Sequence, residues 1–306
     1  MMRSKLCGAI CRQTALLKAA ALGLMLGFSH SALAESSASV SSVPQKIVSA
    51  DGSLTEIVYA LGKQDLLVGV DTTSGYPAVA RKLPQIGYKR NISAEGVLSL
   101  EPQVLIATQD SGPDKILKQL AQAGVEIKRY SAEPKLDVVK DKILGVAKLL
   151  NIEEKGQQLW SEVAEQVKSA RAPLTAIDKP TKVMFVLNAS SGSPLVSGDT
   201  TMADAIIKLA GGVNAAQGFS GYKPMSVESI ISAAPDVLLM MSRGGSHSAS
   251  SEILTKPGFL LTPAAQNKRL VVMDGMLMLG FGPRIGEAVS RLVIEFYPQL
   301  TLVEKK

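Results

Sequence analysis

Cysteine is the first scarcity. The 306-residue chain has two, Cys7 and Cys11, and both fall in an N-terminal segment expected to be removed. What remains offers no disulfide, no thiolate nucleophile and no cysteine-based zinc or iron–sulfur site. Histidine is nearly as rare: His30 belongs to the same segment and leaves His247 alone. Paired-imidazole sites are thereby excluded, and a Ser-His-Asp triad would have to be built on His247.

Long apolar runs are missing as well. The segment AAALGLMLGF at 19–28 is too short to span a bilayer, which takes roughly 20 residues. It follows Arg3, Lys5, Arg12 and Lys18 and precedes Ala32-Leu33-Ala34, the order of a secretory signal with cleavage after Ala34. The expected product is a periplasmic protein that does not itself cross the membrane. A surplus of positive charge is absent from that product too: residues 35–306 carry 29 basic and 27 acidic side chains, so the basicity of the whole chain belongs largely to the signal. A near-neutral chain gives no footing for nucleic acid, which calls for a concentrated basic face.

What is present alternates. After a Ser/Val-rich leader at 35–45, KIVSA reads as a strand and SLTEIVYALG as a helix, with Ser53 as N-cap and Gly62 past its end. LLVGV and PQVLIAT are further strands and PDKILKQLAQAG a further helix. Strand-like runs alternating with helical ones indicate βαβ units and a largely parallel sheet. Between 136 and 171 apolar positions recur at helical spacing with a break near Asn151, which predicts two helices, the second long and charged. KVMFVLN, TMADAIIKLAGG, PDVLLMMS and KRLVVMDG then resume the alternation. The expected architecture is α/β, with an N-terminal lobe at 46–150, a linking helix at 151–173 and a C-terminal lobe at 174–306.

An internal repeat joins the lobes. With Pro102 laid over Pro235, ISAEGVLSLEPQVLIATQD (92–110) matches MSVESIISAAPDVLLMMSR (225–243) without a gap, pairing Ser93 with Ser226 and Glu95 with Glu228. One deleted residue brings Tyr88 onto Tyr222. The serine followed by an acid is also ordinary N-terminal helix grammar, whatever its ancestry.

LPQIGYKRNISAEGVLSLEPQVLIA, SGDTTMADAIIKLAGGVNAA, MSVESIISAAPDVLLM and LGFGPRIGEAV together resemble the periplasmic haem-binding proteins of ABC-type importers, within the wider class that also serves siderophores and vitamin B12. The resemblance runs from about Lys46 to Pro298 and implies two βαβ-type lobes joined by one long helix, ligand in the inter-lobe cleft, and lobes that move little on binding. It implies a non-enzymatic binding protein, a monomer that carries haem as its ligand and delivers it to an ABC permease.

By that resemblance Tyr88 takes the place of the axial iron ligand, Arg90 of an arginine contacting the ligand, and Arg243 of a cation approaching the tyrosine from the other lobe. The chemistry is coherent. Tyrosinate is a known haem ligand, and a nearby cation favours the ionised phenol. Glu95 and Glu228 become docking residues for arginines on two permease subunits. Lys89 reads as a solvated charge and Tyr222 as cleft wall or structural. His247 sits in a polar loop. Met278 and Phe281 read either as a haem face or as core, and Arg284 as a local cap or pair. The competing readings are a siderophore or cobalamin carrier on the same fold and, further off, a secreted hydrolase.

Overall fold

The structure is a computed structural model describing residues 43–189, 192–242 and 251–302. The signal segment, most of the leader, Arg243 and His247 lie outside the described residues.

The first half builds β1 (Ile47–Ala50), α1 (Gly52–Ala60), β2 (Leu67–Val70), the short pair β3 (Gly87–Tyr88) and β4 (Asn91–Ile92), α2 (Ala94–Leu98), β5 (Val104–Thr108), α3 (Asp114–Gln122) and β6 (Glu126–Tyr130). Two helices follow, α4 (Leu136–Leu149) and α5 (Glu153–Arg171), with Asn151 at positive φ between them. The second half contains β7 (Lys182–Asn188), β8 (Leu195–Ser197), α6 (Met202–Leu209), β9 (Val213–Asn214), β10 (Tyr222–Pro224), α7 (Val227–Ala233), β11 (Val237–Ser242), α8 (Pro263–Gln266), β12 (Leu270–Asp274), α9 (Gly275–Leu279) and α10 (Ile285–Phe296). The α/β architecture is the one expected. The start of α1 is not: it begins one residue before Ser53, and Asp51 is the cap, accepting from Ser53 N at 2.8 Å.

Each half has its own sheet. The first runs β2-β1-β5-β6, all parallel; the second runs β10-β8-β7-β11-β12, with β9 also on β7. β7, β11 and β12 are parallel, whereas β8 folds back antiparallel on β7 and carries β10 at the edge.

The repeat extends to backbone detail. Ser93 and Ser226 both cap their helices, accepting from Gly96 N and Ser229 N. Glu101 and Ala234, each directly before the paired prolines, both adopt the left-handed conformation, at φ 50° and 45°. Gly87 and Gly221, before the paired tyrosines, are both at positive φ. A Cβ on Gly87 would also stand 2.8 Å from Asn91 O, so this corner requires glycine on two counts. The halves part company after that glycine: Tyr88 enters a two-residue hairpin, Tyr222 an edge strand paired to β8.

Strand alternation sorts the core. Val104 and Ile106 of β5 join a central cluster, while Leu105 and Ala107 face a separate one against α3. In β7, Val183 and Phe185 face the same central cluster while Met184 and Val186 turn to a third. The central cluster is therefore shared by both sheets, and Val163 and Val167 of α5, Leu292 and Phe296 of α10 and Ile143 of α4 close it. Gly286 of α10 lets it approach α5 closely; a Cβ there would lie 2.5 Å from Gln166 Cβ. Met278 and Phe281 are buried in this cluster, which settles them as core.

Candidate functional site

The β3–β4 hairpin presents Tyr-Lys-Arg with alternating direction, as a tight extended turn should. Backbone bonds fix it on both sides: Thr72 N donates to Gly87 O at 2.9 Å, and Gly112 N to Lys89 O at 2.8 Å. Tyr88 is 43% exposed and Arg90 points the same way, with Nη1 donating to Tyr88 Oη at 2.5 Å. The two residues expected to form the first-lobe half of the site do meet.

Lys89 departs from expectation. It is not a solvated charge: its side chain is turned inward to 15% exposure, with Nζ on Asp51 Oδ2 at 2.7 Å and on Asp110 Oδ1 at 3.1 Å. The physical reason lies at the carboxyl ends of the parallel strands. Asp51 follows β1 and Asp110 lies two residues past β5, two buried or half-buried carboxylates that a neighbouring ammonium compensates. Burial pushes the Asp51 carboxyl up, but Lys89, Lys142 and the hydrogen bonds from Lys89 and Ser53 overcome it and hold the group at about 2. Asp110 is likewise held below the ordinary carboxylate range against burial, first by Lys89. Burial works against the Lys89 ammonium, and the two acids outweigh it, raising its pKa.

Asp110 also bonds outward. Its Oδ2 accepts from Arg90 Nη2 while Oδ1 accepts from Thr108 Oγ1 at 2.7 Å. Behind it, Lys142 of α4, 2% exposed, donates to Ser53 Oγ at 2.8 Å and reaches Gly280 O of the second half at 3.3 Å. A run of polar contacts thus links Lys142, Ser53, Asp51, Lys89, Asp110, Arg90 and Tyr88. Sequence reasoning passes over Asp51, Asp110 and Lys142. An acid just past an apolar strand in an open α/β pattern is the readable signal for the first two.

Tyr222 behaves differently from Tyr88. Its ring meets Phe185 edge to face at 6.3 Å, and its hydroxyl is engaged by Thr201 and Ser197. Burial raises its pKa, opposed by those bonds and by the charge of Arg90, so the second-half phenol lies within the field of the first-half arginine.

Arg284 does not pair locally. Its guanidinium grips Glu56 of α1 and stacks on the Tyr76 ring at 3.6 Å, spanning the two halves. Burial raises the Glu56 carboxyl, with Arg284 opposing. A hollow of about 850 Å³ beside this pair is lined by Tyr59, Tyr76, Leu159 and Gln166 among others and does not include Tyr88 or Arg90. Glu95 and Glu228 are both exposed in the first turn of their helices. Glu228 is held below the ordinary range by its own backbone N–H and the Ser226 hydroxyl.

A sequence profile described as "Periplasmic binding protein" matches residues 47–277. Among solved structures, the periplasmic heme-binding protein RhuT from Roseiflexus sp. RS-1 is 38% identical with a TM-score of 0.79, covering 84% of this chain and 99% of that one. A periplasmic heme-binding protein from Pseudomonas aeruginosa is 35% identical with a TM-score of 0.77, covering 83% and 93%. Among curated proteins, the ABC transporter substrate-binding lipoprotein YvrC of Bacillus subtilis is 28% identical over 258 residues, 83% of this chain and 81% of its own. No helix among the described residues is long and apolar enough to cross a membrane.

Proposed function

This chain belongs to the periplasmic binding protein family, a family of substrate carriers and not of enzymes, and we propose from that premise that its cargo is ferric haem, bound through Tyr88. The observation that carries the reading is the Tyr88–Arg90 contact: an exposed phenol oxygen whose partner is a guanidinium, itself anchored on an acid. Phenolate is a hard donor suited to ferric iron, and the fork of an arginine can hold such an oxygen in place. Two solved relatives above 30% identity are heme-binding proteins, which supports haem over other cargoes of the class.

Tyr222, with its hydroxyl engaged and its ionisation opposed by burial, serves as wall and not as ligand. Arg243, next in the chain after β11, supplies a second cation from the other lobe. Export by the N-terminal signal and release to an ABC permease, docked through Glu95 and Glu228, complete the role.

Titration of purified residues 35–306 with hemin, followed by absorption spectroscopy, tests this. The expected result is saturable binding with a tyrosinate-to-iron charge-transfer band, which Tyr88→Phe removes while lowering affinity at least about tenfold. Unchanged spectrum and affinity in Tyr88→Phe overturn the ligand assignment. Preference for hydroxocobalamin over hemin in competition overturns the cargo.

A further inference from the structure

One carboxylate at the end of β5 faces two ways. Asp110 Oδ1 is taken up by Thr108 Oγ1 at 2.7 Å and Lys89 Nζ at 3.1 Å, inside the fold. Its Oδ2 is turned outward onto Arg90 Nη2, and the other terminal nitrogen of the same guanidinium reaches Tyr88 Oη at 2.5 Å. The inner side of this arrangement is tied down at several points: Lys89 is held between Asp51 and Asp110, and Asp51 caps α1. The outer side is not. Arg90 is 54% exposed, and a long exposed side chain without an anchor disperses over many rotamers. The planar fork of an arginine, one nitrogen on an acid and the other on a phenol, is a geometry that lysine cannot reproduce.

We propose that Asp110 is a positioning residue for ligand binding: it holds the Arg90 guanidinium so that Nη1 is delivered to the Tyr88 oxygen, with buried Lys89 as the fixed point of the clamp. The inference rests on the reading of Tyr88 as haem ligand. Asp110 acts through Arg90 and touches no ligand atom. A purely structural acid would have no use for its outward oxygen, since Lys89 and Thr108 already satisfy the inner one. The order Tyr-Lys-Arg then has a division of labour: the outer two residues form the ligand end and the middle one fastens it to the sheet.

The test is a double-mutant cycle on residues 35–306, reading hemin affinity and the charge-transfer band. Asp110→Asn is expected to lower hemin affinity about tenfold and to shift the band in the chain that retains Arg90, but to change affinity less than about twofold in an Arg90→Ala background. The same loss in both backgrounds, or no loss where Arg90 is present, overturns the positioning role. Should Asp110→Asn melt below the assay temperature, Asp110→Glu takes its place; it keeps the charge for Lys89 but displaces the outward oxygen, and the same two results overturn the role. A Tyr88→Phe chain that keeps its affinity and spectrum removes the underlying reading. A Tyr88→Phe chain that loses both, beside an additive cycle, removes only the role of Asp110.

Discussion

Arg284 donates to Glu56 through two nitrogens, Nε to Oε2 at 2.9 Å and Nη2 to Oε1 at 2.6 Å, although the residues are 228 positions apart. The pair is side-on and largely removed from water, with Glu56 at 5% and Arg284 at 18% side-chain exposure. Removing one partner leaves the other buried and uncompensated. Arg284→Met or Glu56→Gln is expected to destabilise the protein by about 3–5 kcal/mol, and a matched apolar double replacement by much less. Urea unfolding of the two single variants and the double variant checks this; equal losses in the double and the singles would contradict it.

Lys142 gives a pH dependence. Burial, opposed first by Asp51, holds its ammonium at about 8, below the ordinary lysine value of 10.5. The folded state therefore binds fewer protons than the unfolded state between those values, and stability rises with pH across that window. Lys142's contribution is complete above about 10.5 and lost as pH falls through about 8. Relative to Lys142→Met, the parent chain should gain at most about 3 kcal/mol from pH 8 to 10.5. Parallel melting curves of the two chains over that range would exclude it.

Gly52 opens α1 where both halves converge. A Cβ there would stand 2.5 Å from Thr73 O and 2.7 Å from the Met276 methyl. The Met276 methyl is the far end of a flexible side chain, whereas the Thr73 carbonyl is backbone, and Gly52 N already donates to Thr73 Oγ1 at 2.9 Å. Gly52→Ala is expected to cost about 1–3 kcal/mol, readable as a fall of several degrees in Tm. An unchanged Tm would show that the loop bearing Thr73 yields freely.

Glu95 and Glu228 project from matched helices whose serine caps accept from Gly96 N and Ser229 N. Charge reversal of both to Lys should leave hemin affinity within about twofold while abolishing stimulation of the reconstituted permease's ATPase, as opposed charges at a docking rim govern association. Stimulation that survives the double reversal removes docking through these residues.

The sequence carries the lattice of the fold and the outer half of the site. Short apolar runs, serine caps and the two prolines place β5, β11, α2 and α7 correctly, because each depends on neighbours within about ten residues. The left-handed residues before Pro102 and Pro235 are not legible in this way, since proline pushes the residue preceding it toward extended backbone. Tyr88 and Arg90 are singled out by the family resemblance, and that they meet follows from local geometry: two residues apart on an extended turn, they share a side. Lys89 misleads because its partners, Asp51 and Asp110, come from 38 and 21 positions away and only the parallel order of β1 and β5 brings them beneath the hairpin. Glu56 and Arg284 are hidden more deeply still, since nothing local marks a contact made across the whole chain. The shift of the α1 cap from Ser53 to Asp51 is smaller in kind: both residues cap well, and the one also bonded to Lys89 prevails.

The central core has a consequence for anyone wishing to exchange parts among relatives. Because Val104 and Ile106 of one sheet and Val183 and Phe185 of the other drain into the same apolar interior, neither lobe keeps a sealed surface when taken alone. A lobe transplanted without α4, α5 and α10 would bring an open apolar flank into water. The module that evolution or an engineer can swap here is the rim of loops and the hairpin bearing Tyr88, carried on a body that is inherited whole.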